Sequence, residues 1–413
     1  MIRSLRVKNF RSLEDVSLEL GPLTVLVGPN GSGKSTILDA LVTLARLTRS
    51  PLHNRSGQEF FFGRPGWVGS GDFEHTVYGQ RPEKDILFDV ELEGERGERG
   101  RYVLGVGRRD GRLLVVEEKM AWHSPGLDVE YDLTDRGPSD AVRLREQMGL
   151  TEAEGAWLPL PREVSLPFRV FPLRHQHAES PAIRAALAIQ SALGPSHIHE
   201  FVPSRLATPT PHVDLLRSDG FGLVAVLDET LGRDRETFGR IENDLRRLFP
   251  EIEGLIVKPF HGKKGEKELF LRTVGPGGQI DVPAGMAPSG ALVVIALLWI
   301  LHTRPYALVG LDELEAHLHP WLLGKIMELT KKLSLRSQVI LATHSPEVLN
   351  MLEDLEPVRI CERDPKRGTY IVAPARNEES RRNLRDLFQQ AVGAMWYSGH
   401  LGGVPADPNK ASP

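Results

Sequence analysis

A glycine-rich octapeptide, GPNGSGKS at residues 28–35, is the pattern in this sequence with the plainest chemical meaning. It fits G-x-x-x-x-G-K-[ST] and lies between an apolar run that predicts a strand and apolar residues at helical spacing, which is the context that a phosphate-binding loop requires. In such a loop, backbone N–H groups face phosphate oxygens, a lysine neutralises phosphate charge and a serine hydroxyl binds Mg²⁺. We therefore predict binding of ATP with Mg²⁺, with Ser35 at the metal and nucleotide contacts from Asn30, Gly31, Ser32, Gly33, Lys34, Ser35 and Thr36.

Two other predicted strands end in polar side chains. Asp312 and Glu313 follow the buried run 306–311, and His344 follows the run 338–342. Such residues at a strand end are more often structural than catalytic, but ligands of open α/β sheets bind at the carboxyl ends of the strands. Beside a phosphate-binding loop, Asp312 would hold Mg²⁺ and Glu313 would orient or deprotonate the attacking water. His344 could donate a hydrogen bond to a γ-phosphate.

The elements predicted around these residues define the fold class. Strand and helix patterns alternate from residue 255 to residue 342, which predicts a mainly parallel central sheet with right-handed crossovers. Strand-like alternation between residues 86 and 119, with Asp110-Gly111 as a hairpin signal, predicts an antiparallel β subdomain. Helical patterns between residues 180 and 248 predict a helical insertion. We expect an α/β P-loop NTPase head.

These patterns suggest a division of the chain into five segments. They are an N-terminal ATPase lobe with the phosphate loop (1–50), a β-rich subdomain (51–170), a helical insertion (171–254), a C-terminal ATPase lobe (255–376), and a C-terminal helix and tail (377–413).

Composition limits the classes of function. Hydrophobic residues make up 40% and charged residues 26% of the chain, which is typical of a globular protein. The apolar run 291–301 is too short to span a bilayer, and the start of the chain does not resemble a signal peptide. Cys361 is the only cysteine, which excludes an internal disulfide and fits a reducing compartment. We expect a cytoplasmic protein without a membrane partner.

The formal net charge is −4, so no overall field attracts nucleic acid, and DNA could bind only through local basic patches. Solvated loops are the simpler interpretation of these patches. Their members are Lys258, His261, Lys263, Lys264, Lys267, Arg108, Arg109 and Arg112.

Two histidine pairs, His175 with His177 and His197 with His199, have a spacing that could serve a metal. Neither has acidic or cysteine partners at motif distance, so a structural role is favoured.

Four segments together resemble ABC-type ATPases of the RecF, SMC and OLD class, and more narrowly the bacterial predicted ATPases called AAA family. They are NFRS at 9–12, GPNGSGKS, DELEAHLHP at 312–320 and ATHSP at 342–346. The resemblance implies an ABC-type head with Lys34 and Ser35 at the phosphates and Mg²⁺. It also implies Asp312 at the metal, Glu313 as catalytic base, His344 as γ-phosphate switch and Arg11 near the nucleotide.

Two departures from this family concern the turn after the acidic pair and the signature loop. Leu314 stands where the family usually has proline. The signature loop reads Ala287-Pro288-Ser289-Gly290, so its serine is displaced by one position. In the family this loop caps the nucleotide of the opposite subunit, which implies a homodimer on ATP binding with Ser289 and Gly290 as nucleotide contacts. Gln58 is the candidate for the glutamine that follows the first helix in this family.

Three functions remain open. The first is a nucleotide-driven switch in DNA maintenance or anti-phage defence, with a separately encoded effector or nuclease partner. The second is an OLD-like ATP-dependent nuclease, although the stretch after His344 is shorter than a further domain of ~100 residues. The third is the nucleotide-binding subunit of a transporter, which the large insertion and the NFRS start disfavour.

Overall fold

The computed structural model describes residues 1–53, 59–60, 62, 72–94, 96–132, 165, 167–168, 180–211, 213, 215–275, 277–303, 305–316 and 318–372. The expectations for Gln58, for His175 and His177, and for the C-terminal helix and tail lie outside these residues.

Fifteen strands occur in the described residues. They are β1 (Ile2–Phe10), β2 (Leu13–Glu19), β3 (Leu23–Val27), β4 (Ile86–Glu93), β5 (Arg99–Arg109), β6 (Arg112–Ser124), β7 (Leu127–Asp132), β8 (Ser196–His199), β9 (Ile252–Pro259), β10 (Lys267–Gly275), β11 (Gly278–Pro283), β12 (Leu308–Asp312), β13 (Gln338–Thr343), β14 (Val358–Asp364) and β15 (Gly368–Val372).

The α-helices of the same residues range from single turns to four turns. They are α1 (Lys34–Leu47), α2 (Phe73–Thr76), α3 (Pro181–Leu193), α4 (Pro203–Leu206), α5 (Leu223–Arg233), α6 (Arg235–Leu248), α7 (Ser289–His302), α8 (Pro320–Ser334) and α9 (Pro346–Asn350). Four of them have proline in the first turn, where the missing N–H costs no helical hydrogen bond. None of the helices described is long and apolar enough to cross a membrane.

The central sheet has the strand order β15-β14-β3-β13-β12-β8. Its neighbours pair in parallel from β14 to β8, and β15 returns antiparallel to β14. Buried side chains line both faces of β3, because Leu26 belongs to one hydrophobic core while Val25 and Val27 belong to the other. The predicted mainly parallel α/β fold is confirmed.

The β subdomain is an antiparallel sheet of order β2-β1-β4-β5-β6-β7. It shares one hydrophobic core with α1 and α3, so the helix that follows the phosphate loop packs between the two sheets. The β5–β6 hairpin turns at Asp110 and Gly111, both of which have positive φ, as the sequence predicted.

A third sheet, of order β11-β10-β9, packs with α5, α6 and α7 in the second core. Strand β11 had no counterpart in the sequence prediction. Strand β8 also differs from it, because residues 196–199 lie in the range expected to be a helical insertion but pair with β12 in the central sheet.

Candidate functional site

The glycine-rich loop connects β3 to α1. Gly31 and Gly33 have φ angles of 78° and 102°, a region that side-chain-bearing residues rarely adopt. Gly33 is the N-cap residue, and α1 begins directly after it at Lys34. The loop therefore has the strand–loop–helix geometry that the octapeptide predicted.

Lys34 is buried within this loop, at 4% exposure. Its Nζ donates hydrogen bonds to the carbonyl oxygens of Gly28 at 2.9 Å and Pro29 at 3.1 Å. Burial lowers the pKa of the Lys34 ammonium, and the negative charges of Glu313 and Asp312 act against that lowering. The lysine and the acidic pair are thus close enough to interact electrostatically.

Asp312 and Glu313 lie at the carboxyl end of β12. Asp312 is the last residue of the strand and is 1% exposed. Glu313 has a φ of 50°, and its N–H donates to the carbonyl oxygen of Ala342 at 2.9 Å. This hydrogen bond ties the acidic turn to β13, and the left-handed conformation redirects the chain at the point where the two carboxylates leave the sheet.

His344 follows the last residue of β13, the strand between β3 and β12. Its Nδ1 lies 3.6 Å from Oε1 of Glu313. The expected convergence of Lys34, Asp312, Glu313 and His344 at one edge of the sheet is therefore present in the structure.

The remaining loop residues offer oxygen atoms of the kind that Mg²⁺ and phosphates require. Asn30 and Ser35 are exposed, Thr36 is partly exposed, and Ser32 is buried. Among the described residues, Ser32 Oγ has no hydrogen-bond partner. Hydroxyl and carboxylate oxygens suit a hard cation such as Mg²⁺, so Ser35 and Asp312 are chemically fit to hold one.

Arg11 lies beside the phosphate-loop helix. It occupies the turn between β1 and β2 with a φ of 51°, and its guanidinium forms an ion pair with Asp39, one helical turn beyond Ser35. The backbone N–H of Arg11 donates to Thr76 at 2.6 Å. Its contact with α1 shows how it is held, while its predicted contact with the nucleotide stays a prediction.

The signature-like loop lies elsewhere in the head. Ser289 and Gly290 begin α7, which packs against α4, α6 and α8. A Cβ at Gly290 would lie 2.3 Å from Cδ2 of Leu322, so a side chain there would displace Leu322. The predicted contact of Ser289 and Gly290 with the nucleotide of another subunit stays a prediction.

Two residues near the site were missed by the sequence analysis. Glu315 accepts hydrogen bonds from the His344 N–H at 3.0 Å and from the Thr343 hydroxyl. Its signal was present, since it is the third carboxylate of DELEAHLHP. Arg363 of β14 donates from Nη1 to the carbonyl oxygen of Gly31 at 3.3 Å, and no sequence motif marks it.

Most of the basic residues considered for DNA are neutralised by carboxylates. Among the described residues, His261, Lys264 and Arg112 have no ion-pair partner. The others form ion pairs: Lys258 with Asp281, Lys263 with Glu266, Lys267 with Asp228, Arg108 with Glu59, and Arg109 with Asp85.

His197 and His199 lie on β8 and are part of the fold. Their rings stack on each other, with centroids 6.2 Å apart, and His197 also packs against Tyr306. Burial lowers the pKa of His197, which favours the neutral ring. No group of three potential metal ligands occurs in the part of the chain that the structure describes.

Two family models match parts of this chain. Residues 1–77 match the family model described as AAA ATPase domain. Residues 154–350 match the model described as AAA domain, putative AbiEii toxin, Type IV TA system. These matches make the chain similar to ABC-type AAA ATPases of the RecF, SMC and OLD class.

Individual relatives match over part of their length. An OLD nuclease from Thermus scotoductus is 36% identical over 153 residues, which are 31% of this chain and 29% of that protein. The DNA replication and repair protein RecF from Vibrio vulnificus is 30% identical over 103 residues, which are 23% of this chain and 28% of that protein. The matches thus span less than a third of either relative.

A solved structure shares the fold. The SMC head bound to the C-winged helix domain of ScpA aligns with a TM-score of 0.51 and 15% identity, over 90% of this chain and 97% of that chain. The ABC-type head predicted from the sequence is confirmed at the level of the fold.

Proposed function

We propose that this chain binds ATP with Mg²⁺, hydrolyses it, and uses the nucleotide cycle as a switch in DNA maintenance or anti-phage defence. The observation that carries the proposal is the arrangement of three neighbouring strands. At the carboxyl ends of β3, β13 and β12 lie the phosphate loop with Lys34, then His344, then Asp312 and Glu313. The similarity to RecF and to an OLD nuclease supports the choice of process.

We assign a role to each side chain from its position. The Lys34 ammonium would exchange its contacts with Gly28 and Pro29 for phosphate oxygens, and its burial strengthens that attraction. Ser35 and Asp312 would hold Mg²⁺, which when bound neutralises charge on the β and γ phosphates. Glu313 would accept a proton from the attacking water, and His344 would donate a hydrogen bond to the γ-phosphate.

Isothermal titration calorimetry and a phosphate-release assay test this proposal. Lys34→Ala should abolish ATP binding, because the loop loses its one point charge opposite the β and γ phosphates. Glu313→Gln should bind ATP normally and hydrolyse it ~10²-fold or more slowly, because it lacks the base. Lys325→Ala is a suitable control, since Lys325 pairs with Glu328 on the surface of α8. ATP binding by Lys34→Ala at wild-type affinity contradicts the proposal.

A second candidate is the ATPase component of an OLD-like nuclease, which the match to the Thermus scotoductus OLD nuclease favours. The two candidates differ in whether the chain alone cleaves DNA. The switch function predicts that purified protein with Mg²⁺ and ATP leaves supercoiled and linear DNA intact. Robust cleavage that survives Glu313→Gln supports the nuclease instead, because it would show metal-dependent chemistry outside the ATPase site.

The switch function also implies partners. We propose a homodimer that forms on ATP binding through the phosphate loop of one subunit and Ser289 and Gly290 of the other. A separately encoded effector or nuclease would sense that dimer. The dimer is supported by the placement of the helices that follow the two loops, since α1 packs in one hydrophobic core and α7 packs in the other.

A further inference from the structure

Glu315 is a carboxylate that the fold buries beside the end of β13. Its side chain is 8% exposed. Oε1 accepts hydrogen bonds from the backbone N–H of His344, at 3.0 Å, and from the hydroxyl of Thr343. The same atom lies 3.6 Å from Nδ1 of His344. Burying a carboxylate is unfavourable unless hydrogen bonds replace its water, so these contacts hold Glu315 in place.

A purely structural role does not account for the charge of Glu315. A neutral glutamine would present the same acceptor to Thr343 and His344 and would be less costly to bury. The other oxygen, Oε2, is buried and receives no hydrogen bond from the described residues. The imidazole of His344 lies 3.6 Å from Glu315 and would form an ion pair with it when the ring is protonated.

Two carboxylates lie near Nδ1 of the His344 imidazole. Nδ1 lies 3.6 Å from Glu313 Oε1 and equally far from Glu315 Oε1. A hydrogen on Nδ1 would lie toward both carboxylates, which would leave Nε2 for the phosphate. When Nε2 also donates, the ring is positively charged, and the two carboxylates balance that charge.

We infer that Glu315 is a positioning residue for His344. It orients the imidazole and keeps the hydrogen on Nδ1, so that Nε2 faces the γ-phosphate during hydrolysis. Glu315 acts through His344 and does not touch the nucleotide. The inference rests on the proposed ATPase function.

Steady-state ATPase kinetics of Glu315→Gln test the inference. This variant keeps the acceptor for the His344 N–H and the Thr343 hydroxyl but removes the charge. We expect kcat to fall roughly tenfold, with KM for ATP changed less than about twofold, because the affected contact acts in the transition state. Glu315→Asp, which keeps the charge, should recover part of the loss. Glu347→Gln is the matched control, because Glu347 accepts a hydrogen bond from Ser345 on the same segment.

A double-mutant cycle separates positioning from an independent effect. If Glu315 acts through His344, adding Glu315→Gln to His344→Ala should leave kcat unchanged. A tenfold further loss in that background, or wild-type kcat for Glu315→Gln alone, overturns the inference. Neither result touches the proposed function, which fails only if wild-type protein does not hydrolyse ATP or if Lys34→Ala still does.

A measurement on the wild-type protein covers the case in which the Glu315 variants do not fold. Nitrogen-15 NMR of the histidine side chains, with His344 assigned by its absence in His344→Gln, reports which ring nitrogen carries hydrogen. We expect a hydrogen on Nδ1 of His344. A ring protonated on Nε2 alone contradicts the inference.

Discussion

Gly33 and Thr369 pack so closely that a Cβ atom at Gly33 would lie 2.3 Å from Thr369 Oγ1. Thr369 belongs to β15, and its N–H donates to the carbonyl oxygen of Ser12 at 3.0 Å. Its hydroxyl donates to the Ser12 hydroxyl, also at 3.0 Å. The β14–β15 hairpin therefore packs against the phosphate loop. Hydrogen bonds connect the same hairpin to the turn between β1 and β2.

Gly33→Ala should destabilise the protein by ~2–4 kcal/mol in urea denaturation, because the left-handed backbone and the overlap with Thr369 both oppose a methyl group. Gly31→Ala is the matched control, since its φ is 78° but nothing lies within 4 Å of its Cβ position. Gly31→Ala should lower the free energy of unfolding by only ~1–2 kcal/mol, because only the left-handed backbone opposes its methyl group. Gly239→Ala, in open space on α6, should instead gain ~0.5–1 kcal/mol. Equal losses for Gly33→Ala and Gly31→Ala would contradict the packing explanation.

The centre of the site could be predicted because each part has a local signal. A run of apolar residues precedes each of the octapeptide, the acidic pair and His344. Such runs predict strands, and parallel strands have their carboxyl ends at one edge of the sheet. Taken alone, Asp312-Glu313 and His344 are weak signals of a catalytic site. They became informative because the loop around Lys34 identified a nucleotide-binding sheet. The fold class followed from the same alternation of strands and helices.

Other parts could not be predicted because they depend on distant pairing. Strand β8 has four residues, and only its neighbour β12 distinguishes it from a loop. The contact of Arg363 with Gly31 requires β14 to pair with β3 across more than three hundred residues of sequence. Lys258 and Lys267 were possible DNA contacts from the sequence. In the structure Lys258 pairs with Asp281 and Lys267 pairs with Asp228, and each aspartate comes from another element.

The ion pair between Arg11 and Asp39 should contribute to stability. Asp39 is 7% exposed, so Arg11→Ala leaves a buried carboxylate with reduced compensation and should cost ~2–4 kcal/mol in urea denaturation. Adding Asp39→Ala to the Arg11→Ala protein should recover part of the lost stability, because it removes the buried carboxylate. ATP affinity of the same variants tests the predicted nucleotide contact. If Arg11 touches the nucleotide, Arg11→Ala and the double variant should both weaken ATP binding, and Asp39→Ala alone should weaken it less.

Any binding of DNA should be weak and strongly salt-dependent, because a net-acidic chain gains affinity only by releasing counterions at local cations. Lys264→Glu should weaken it for all sequences alike. Lys263→Glu should weaken it less, because Glu266 already pairs with Lys263. Fluorescence anisotropy across a salt series measures both. Affinity that does not change with salt, or that Lys264→Glu leaves intact, argues against binding through this loop.

Dimerisation on ATP should be visible in Glu313→Gln, which keeps the phosphate and metal contacts but lacks the base, so that bound ATP persists. Multi-angle light scattering with ATP and Mg²⁺ should show mass above that of the monomer, because each nucleotide would be enclosed by two chains. Pro288 stands where the family has serine, and we therefore expect weaker contacts across the interface and a partly populated dimer. Adding Ser289→Arg should return the mass to that of the monomer. Ser289 is preferable to Gly290 for this test, since any side chain at Gly290 would collide with Leu322 of its own chain.

Leu335→Arg in the same Glu313→Gln background is the control for a change of surface charge, because Leu335 is 85% exposed at the end of α8. It should dimerise as the parent does. Equal mass with and without ATP in the Glu313→Gln protein rules out nucleotide-driven dimerisation of this chain alone. A partner that completes the signature loop then becomes the better model, because the phosphate loop would still bind ATP while the loop at Ser289 would have no nucleotide to enclose.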